Sequence, residues 1–247
     1  MGPAMDAALQ QATSYHEMLQ RYQDALDRAV RQDKFVGVKA HLGEVVGFWV
    51  EPVWEAEAEN VFSEAKAGDA AAYKELYVAI FTATLLQCQD LQVPVHLHSG
   101  CTGGLWDGLI ADADPLLLLP FIKQPKFRAS RIVFLHAGYP WIQNAAAAAH
   151  ALPHVWVDIG WVTPWISLRI AECYRDLIGM APLSKLMVGS GGHGSAEMAW
   201  LAAKTSKIAL AEVLGDAVRL GLMAAQQAER AGRLILHDNA ARLYGLE

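Results

Sequence analysis

The stretch Val93-Pro-Val-His-Leu-His-Ser-Gly100 contains a short apolar run that has the length of one β-strand and ends at a glycine. Four more runs of this kind occur along the chain, at residues 35–42, 132–138, 155–161 and 186–192. Segments rich in alanine or with helical spacing of apolar residues separate them, at residues 5–33, 55–92, 141–151, 165–180 and 197–230. Because parallel strands require crossover connections, which are usually helices, this alternation predicts a parallel α/β fold.

The length and charge of the chain narrow the class of protein. It has 247 residues, of which 53% are hydrophobic, and one (β/α) barrel needs about 250 residues. We therefore expect a single domain over residues 1–247, beginning with a helical segment at residues 1–33. The net charge of −6 gives no reason to expect a nucleic-acid partner. Because the sequence has neither a run of about 20 apolar residues nor a signal peptide, we expect a cytoplasmic protein that does not bind membranes.

Polar side chains interrupt four of the five predicted strands: Lys39, His96, His98, His136 and Asp158. Strand residues two apart share a face, so His96 and His98 point the same way, as do Lys39 and His41. In a parallel barrel the C-terminal ends of the strands converge on one mouth, where the active site lies. Burying these polar groups without partners would cost free energy. The pattern therefore favours a metal ion or a polarised substrate at that mouth.

Several motifs follow one another in a specific order: Gly37–Lys39, Pro94–Gly100, Leu135–Pro140, Val155–Asp158, Leu186–Ser190, Glu197 and Leu236–Gly245. Together they resemble the amidohydrolase-2 family, and most closely its FluG/nodulin-type branch, whose members are fused to glutamine-synthetase-like proteins. The similarity covers residues 30 to 246. It implies a metal-dependent hydrolase on a (β/α)₈ TIM-barrel-like fold that acts on C–N, C–O or sometimes C–C bonds.

The resemblance also implies site residues. His98 and His136 match the two mid-barrel metal histidines of the family, Lys39 matches a strand lysine common in this branch, and Glu197 matches an acid that follows the Gly-Ser-Asp motif. With His96, the two histidines form a predicted ligand set for one divalent ion, for which zinc is the best candidate. Two alternatives stay open: His96 as an ordinary hydrogen-bonded core histidine, and a site in which histidines hold the water without a metal.

Two departures from the family pattern stand out. Where the family has an Asp that binds the metal and shuttles the proton of the attacking water, this chain has Gly191, which cannot do either. The first metal strand, with its His-x-His, should precede a helix such as residues 5–33, so we expect the first one or two barrel strands to be missing. Because an open sheet edge is a liability, we expect a homo-oligomer in which a second copy covers it.

The remaining site residues have predicted roles that compete with ordinary structural ones. Lys39 would polarise a substrate carbonyl, or form an ion pair with Asp158. Asp158 or His193 would carry the proton, although Asp158 could instead orient a ligand or cap its strand. Glu197 would contact substrate, or serve only as an acid in the first turn of a helix. Two tryptophans, Trp106 and Trp161, are predicted to line an apolar pocket for an aromatic or acyl group.

The sequence therefore favours a hydrolase that cleaves an amide, ester or lactone bond of a small-molecule substrate. A non-catalytic relative is the alternative, namely a binding or regulatory module that kept the scaffold and lost the metal Asp and the first strand. A fragment of a longer enzyme is a third possibility. A reactive Cys101–His98 pair and a serine hydrolase are both weakly supported, because no orienting third group and no Gly-x-Ser-x-Gly turn are found.

Overall fold

The computed structural model describes residues 1–101, 109–192 and 194–246. In these ranges the helices are α1 Gly2–Gln11, α2 Tyr15–Arg31, α3 Leu42–Val45, α4 Glu55–Lys66, α5 Ala70–Leu91, α6 Leu119–Ile122, α7 Ile142–Ala151, α8 Val162–Trp165, α9 Ile170–Met180, α10 Ala196–Arg219, α11 Ala225–Arg233 and α12 Asn239–Tyr244. The strands are β1 Val38–Ala40, β2 Val95–His98, β3 Ile132–Leu135, β4 Val155–Asp158 and β5 Leu186–Met187. Helices and strands alternate as the sequence predicts.

The five strands of the described residues form a parallel sheet whose strand order, β1-β2-β3-β4-β5, follows the chain. In the β1–β2 pair, Lys39 lies opposite His96 and Ala40 lies opposite Leu97. In the β4–β5 pair, Asp158 lies opposite Met187. Chain-order pairing of parallel strands through helices is the arrangement of (β/α) folds. The prediction of a TIM-barrel-like α/β fold is confirmed.

Local signals explain where the N-terminal helices begin and end. The predicted helix over residues 5–33 is two helices, because Ser14 caps α2 by accepting a hydrogen bond from the Glu17 N–H at 3.2 Å. The segment predicted to be helical over residues 55–92 is also two helices, which are separated at residues 67–69. Asp69 caps α5 by accepting hydrogen bonds from the Ala71 and Ala72 N–H groups.

The chain divides into two compact units. The first comprises residues 1–98 together with the described part of residues 102–132, and the second comprises residues 99–101 and 133–246. The expected single domain over residues 1–247 stays a prediction. Among the described helices, none combines the length and the hydropathy that crossing a bilayer requires.

The core of the first unit is built around α5, most of whose middle residues are buried. The hydroxyl groups of Tyr22 and Thr84 form a buried hydrogen bond of 2.7 Å that joins α2 to α5. Phe121 packs between Phe81 and Phe127, with ring centroids 5.6 and 5.0 Å away.

The second unit contains an apolar cluster in which Val133, Met187 and Leu243 are buried. Asn239, which is 2% exposed, fixes the C-terminal segment to β5, since its amide donates hydrogen bonds to the carbonyl groups of Leu183 and Leu186 at 2.7 and 2.8 Å. The Leu236–Gly245 motif of the sequence therefore holds the end of the chain against β5.

Candidate functional site

Three side chains that can bind a metal lie together at the C-terminal ends of β1 and β2. They are His41, Glu44 and His98, and their ligand atoms all lie within 4.8 Å of one another. Glu44 Oε1 is 3.5 Å from His98 Nδ1, and Glu44 Oε2 is 3.9 Å from His41 Nε2. The side chains of Glu44 and His98 are 2% and 7% exposed. We call this group the His–Glu–His cluster.

The parallel pairing of β1 and β2 brings the two histidines together. Because Ala40 lies opposite Leu97, the next residues along each strand, His41 and His98, come out at the same edge of the sheet, and their ring centroids are 4.7 Å apart. His41 also marks the start of the short helix α3, where its N–H donates a hydrogen bond to the Tyr77 hydroxyl at 3.0 Å.

Gly43 allows α3 to lie against the end of β2. A Cβ atom at residue 43 would be 3.0 Å from Ala113 Cβ, 3.1 Å from the Phe48 ring and 3.3 Å from the His98 carbonyl oxygen. Without a side chain at this position, the helical turn approaches His98 closely enough to present Glu44 to it.

The donor atoms of the cluster fit a divalent metal. Two histidines and one glutamate form a ligand set that occurs in catalytic zinc sites, and two ligands of one tetrahedral zinc lie roughly 3.4 Å apart. Burial, followed by the positive charges of Lys39 and the N-terminal ammonium, lowers the pKa of His41 to about 4. His41 is therefore neutral at pH 7, the state in which imidazole binds metals.

Sequence reasoning singled out His98 as a candidate ligand and did not single out His41 or Glu44. His41 was placed on the same face as Lys39, yet it was not linked to a metal. The signal that could have identified the pair is the spacing His41-x-x-Glu44, because residues three apart lie side by side on a helical turn.

Lys39 and His96 lie opposite each other on β1 and β2, outside the His–Glu–His cluster. Burial lowers the pKa of Lys39, and Glu44 opposes that shift. Burial and the charge of Lys39 lower the pKa of His96 to about 4, so His96 is also neutral at pH 7. The predicted roles of Lys39 as a carbonyl-polarising group and of His96 as a metal ligand stay predictions.

In the second unit, backbone contacts orient His136 and Asp158 at the ends of β3 and β4. His136 donates a hydrogen bond from Nδ1 to the Gly160 carbonyl at 2.8 Å, which leaves Nε2 as the basic nitrogen of the neutral ring. The Asp158 carboxylate accepts a hydrogen bond from the Gly160 N–H at 2.6 Å and another from the Gly189 N–H. Burial raises the pKa of Asp158, and these two hydrogen bonds oppose the shift. The predicted ligand role of His136 and proton-transfer role of Asp158 stay predictions.

Strained backbone accompanies these strand ends. His136, Ala137 and Trp161 have positive φ angles of 63°, 46° and 70°, which are uncommon for residues other than glycine. Such conformations concentrate at functional sites. These three residues follow β3 and β4, at the strand ends where the sequence predicted polar site residues.

Gly191, which the resemblance matched to the family's metal Asp, is packed against Trp161. Its φ is +59°, and a Cβ atom there would lie 2.3 Å from Trp161 Cα and 2.4 Å from Trp161 N. The loop conformation therefore requires a glycine at this position.

The other predicted site residues are placed as follows. Trp106 and His193 lie outside the described residues. Glu197 is exposed in the first turn of α10, where its carboxylate accepts a hydrogen bond from the Ser195 hydroxyl at 2.9 Å. Hydrogen bonds with its own backbone N–H and with Ser195 lower the pKa of Glu197. Its predicted contact with substrate stays a prediction.

The chain is similar in sequence to known proteins. The amidohydrolase family model (Amidohydro_2) matches residues 18–246. Protein fluG of Emericella nidulans is 32% identical over 154 residues, which make up 62% of this chain and 17% of that protein. This chain therefore spans about a sixth of that relative.

Solved structures share the fold over nearly the whole chain. A Lactobacillus casei ATCC 334 protein described as a metal-dependent hydrolase has a TM-score of 0.84 and 21% identity, covering 98% of this chain and 63% of its own. Glucuronate isomerase of Caulobacter crescentus has a TM-score of 0.68 and 14% identity, covering 100% and 54%. Identities this low show the fold alone. Because the family model matches well over half of its length, this chain belongs to the amidohydrolase family.

Proposed function

We propose that the chain is a metal-dependent hydrolase that uses activated water to cleave an amide, ester or lactone bond of a small-molecule substrate. Family membership supports hydrolase-type function. The observation that carries the proposal is the His–Glu–His cluster at the ends of β1 and β2. In this fold the active site lies at the C-terminal ends of the parallel strands, which is where these polar groups are found.

The ligands that we propose are His41, Glu44 and His98, with zinc as the metal. A divalent ion at this site would polarise the scissile carbonyl and lower the pKa of water to about 7. His41 presents a neutral imidazole at pH 7, and the buried Glu44 carboxylate supplies a negative charge beside both rings. The sequence-based set His96, His98 and His136 shares His98 with this one and is the rival assignment.

The other site residues predicted from the sequence have proposed roles of their own. Lys39, whose pKa burial lowers, would donate a hydrogen bond to the substrate carbonyl oxygen and so stabilise the charge that develops there. Asp158 or His193 would carry the proton to the leaving group. Substrate contacts are proposed for Trp106, Trp161 and Glu197.

Hydrolysis of a panel of 4-nitrophenyl esters, lactones and anilides tests this function. Protein purified without chelator should hydrolyse at least one class, lose that activity after dialysis against dipicolinate and regain it with zinc. Glu44→Gln should lower kcat/KM more than about 100-fold, whereas Glu55→Gln, a change of the same type at an exposed acid, should leave it unchanged. Equal rates for the Glu44→Gln and parent proteins would overturn the proposal.

A binding or regulatory module without turnover is the second candidate. The absence of a side chain at Gly191, where the family has the proton-shuttling Asp, favours it. A protein that retains zinc, binds small amides or lactones in calorimetry and hydrolyses none of the panel would support this candidate over the hydrolase.

We also propose that the chain forms a homo-oligomer. β1 lies at one end of the strand order of the described sheet, where the N-terminal ammonium donates a hydrogen bond to the Lys39 carbonyl at 2.8 Å, and the edge strands of a sheet favour association. Light scattering at micromolar concentration should give about twice the mass of the chain, and strictly monomeric behaviour would contradict this proposal.

A further inference from the structure

Tyr77, a residue of α5, contacts the His–Glu–His cluster through its hydroxyl group. Its side chain is buried, with 1% of the residue exposed, and the hydroxyl oxygen accepts a hydrogen bond from the His41 N–H at 3.0 Å. The contact is with the backbone of His41 and leaves the imidazole nitrogens to a metal ion. Tyr77 can therefore hold this ligand in place without competing for the metal.

The backbone of His41 is held from two different helices. Its N–H is bonded to Tyr77 of α5, and its carbonyl oxygen accepts hydrogen bonds from the N–H groups of Glu44 and Val45 in α3, at 3.1 and 3.0 Å. His41 thus links α5 to α3. Because the backbone of Glu44 is bonded to the carbonyl group of His41, a shift of His41 would move both ligands.

The ligand atoms of the cluster lie so close together that a small shift of His41 would change their fit to a metal ion. Glu44 is 3.9 Å from His41 Nε2 and 3.5 Å from His98 Nδ1, and zinc requires ligand distances of about 2.0–2.2 Å. Groups that fix the ligands without touching the metal typically change metal affinity about 10- to 100-fold when they are removed.

We infer that Tyr77 is a positioning residue of the metal site, whose hydroxyl group holds His41, and through it Glu44, in the arrangement that binds a divalent ion. The inference rests on the proposed function in taking the His–Glu–His cluster as the metal site. It requires neither a substrate nor turnover. Without the hydroxyl group, the buried His41 N–H loses this acceptor, which costs free energy and frees the residue to move.

Zinc titration of Tyr77→Phe by calorimetry tests the inference, because this change keeps the ring and removes only the hydroxyl oxygen. Zinc affinity should fall about 10- to 100-fold, and the visible absorption spectrum of the cobalt(II)-loaded protein should change. Tyr22→Phe is the matched control, since Tyr22 is also 1% exposed and its hydroxyl forms a 2.7 Å hydrogen bond with Thr84 in the same unit. It should keep the zinc affinity and cobalt spectrum of the parent. Equal zinc affinity in Tyr77→Phe and the parent would overturn the inference.

A second measurement uses the parent protein and does not depend on the folding of a variant. If the hydrogen bond between Tyr77 and His41 favours zinc binding, zinc must stabilise that bond by the same factor. Zinc should therefore slow the hydrogen exchange of the His41 amide, followed by NMR, about 10-fold. The Glu17 amide, which donates to the Ser14 hydroxyl at 3.2 Å in the same unit, is the control and should exchange at an unchanged rate. A zinc effect of equal size on the two amides would overturn the inference.

The same proteins separate this inference from the proposed function. If Tyr77→Phe binds zinc more weakly than the parent but no ester, lactone or anilide is hydrolysed, the proposed hydrolase fails and the role of Tyr77 stands. If hydrolysis is found and Tyr77→Phe binds zinc as tightly as the parent, the role of Tyr77 fails and the hydrolase stands.

Discussion

At the scale of single residues, Trp161 and Gly191 depend on each other. A Cβ atom at position 191 would lie 2.3 Å from Trp161 Cα, a separation that cannot be kept. A return to the family's Asp at this position would therefore displace Trp161 as well as add a carboxylate, so the variant Gly191→Asp cannot by itself tell whether the missing Asp explains a lack of activity.

The size of this constraint can be measured. Gly191→Ala should lower the free energy of unfolding by about 2–4 kcal/mol, because it combines a strained φ with a backbone clash. Gly221→Ala is the matched control, since Gly221 has a φ of +72° and no atom within 4 Å of its Cβ position. It should cost about 1 kcal/mol from backbone strain alone. Urea unfolding of both variants checks this, and equal costs would contradict the clash.

Single residues also show why part of the site could be predicted from the sequence. His98 was identified because it ends an apolar strand, where a polar residue is unexpected. Glu44 was not, because a glutamate in a short segment after a strand is ordinary sequence. Its 5% exposure depends on how closely α3 lies against β2, which a side-chain pattern does not encode.

At the scale of elements, the placement of α3 decides whether Glu44 reaches His98. The atoms nearest to a Cβ at position 43 belong to Ala113, Phe48 and the His98 carbonyl, at 3.0 to 3.3 Å. Gly43→Val should therefore push α3 away from β2 and weaken zinc binding more than about 10-fold, with a loss of stability of about 2 kcal/mol. Gly43→Ala should have a smaller effect in the same direction.

Zinc titration of the Gly43 variants by calorimetry, together with thermal melting, checks this prediction. Gly179→Val serves as the control, because Gly179 has no atom within 4 Å of its Cβ position. Zinc affinity in Gly43→Val equal to that in the control would mean that α3 does not set the position of Glu44.

At the same scale, strands and helices were predictable where the pattern is strong. The five strands are apolar runs with defined ends, and the parallel arrangement follows from the helices between them. Helix boundaries were less predictable, because a single cap decides them. The Ser14 cap divides the first predicted helix, although the spacing of apolar residues continues across it.

At the scale of the whole molecule, buried groups make the stability sensitive to alkaline pH. Burial raises the pKa of Cys88 from 9.0 to about 12. Burial, and then the charge of Asp176, raises the pKa of Cys173 from 9.0 to about 11. The unfolded chain loses these protons near pH 9, whereas the folded chain keeps them. The free energy of unfolding should therefore fall as the pH rises from 9 towards 11, by up to about 1.4 kcal/mol per pH unit for each group.

Thermal melting followed by circular dichroism between pH 8 and 10.5 measures this effect. The Tm of the parent should fall through this range, and Cys88→Ala should show a shallower fall from a somewhat lower Tm at pH 8. Cys101→Ala, which changes a less buried thiol, should keep a slope closer to that of the parent. A Tm that does not change with pH would show that the buried thiols do not titrate on unfolding.

The metal content of single-site variants tests the central claim, that His41, Glu44 and His98 hold a divalent ion, most directly. Protein purified without chelator and analysed by mass spectrometry should contain about one equivalent of metal. Alanine at His41 or His98, or Glu44→Gln, should reduce this below about a tenth of an equivalent, whereas His96→Ala and His136→Ala should retain it. A parent protein without metal, or loss in His96→Ala and His136→Ala with retention in Glu44→Gln, would contradict the account.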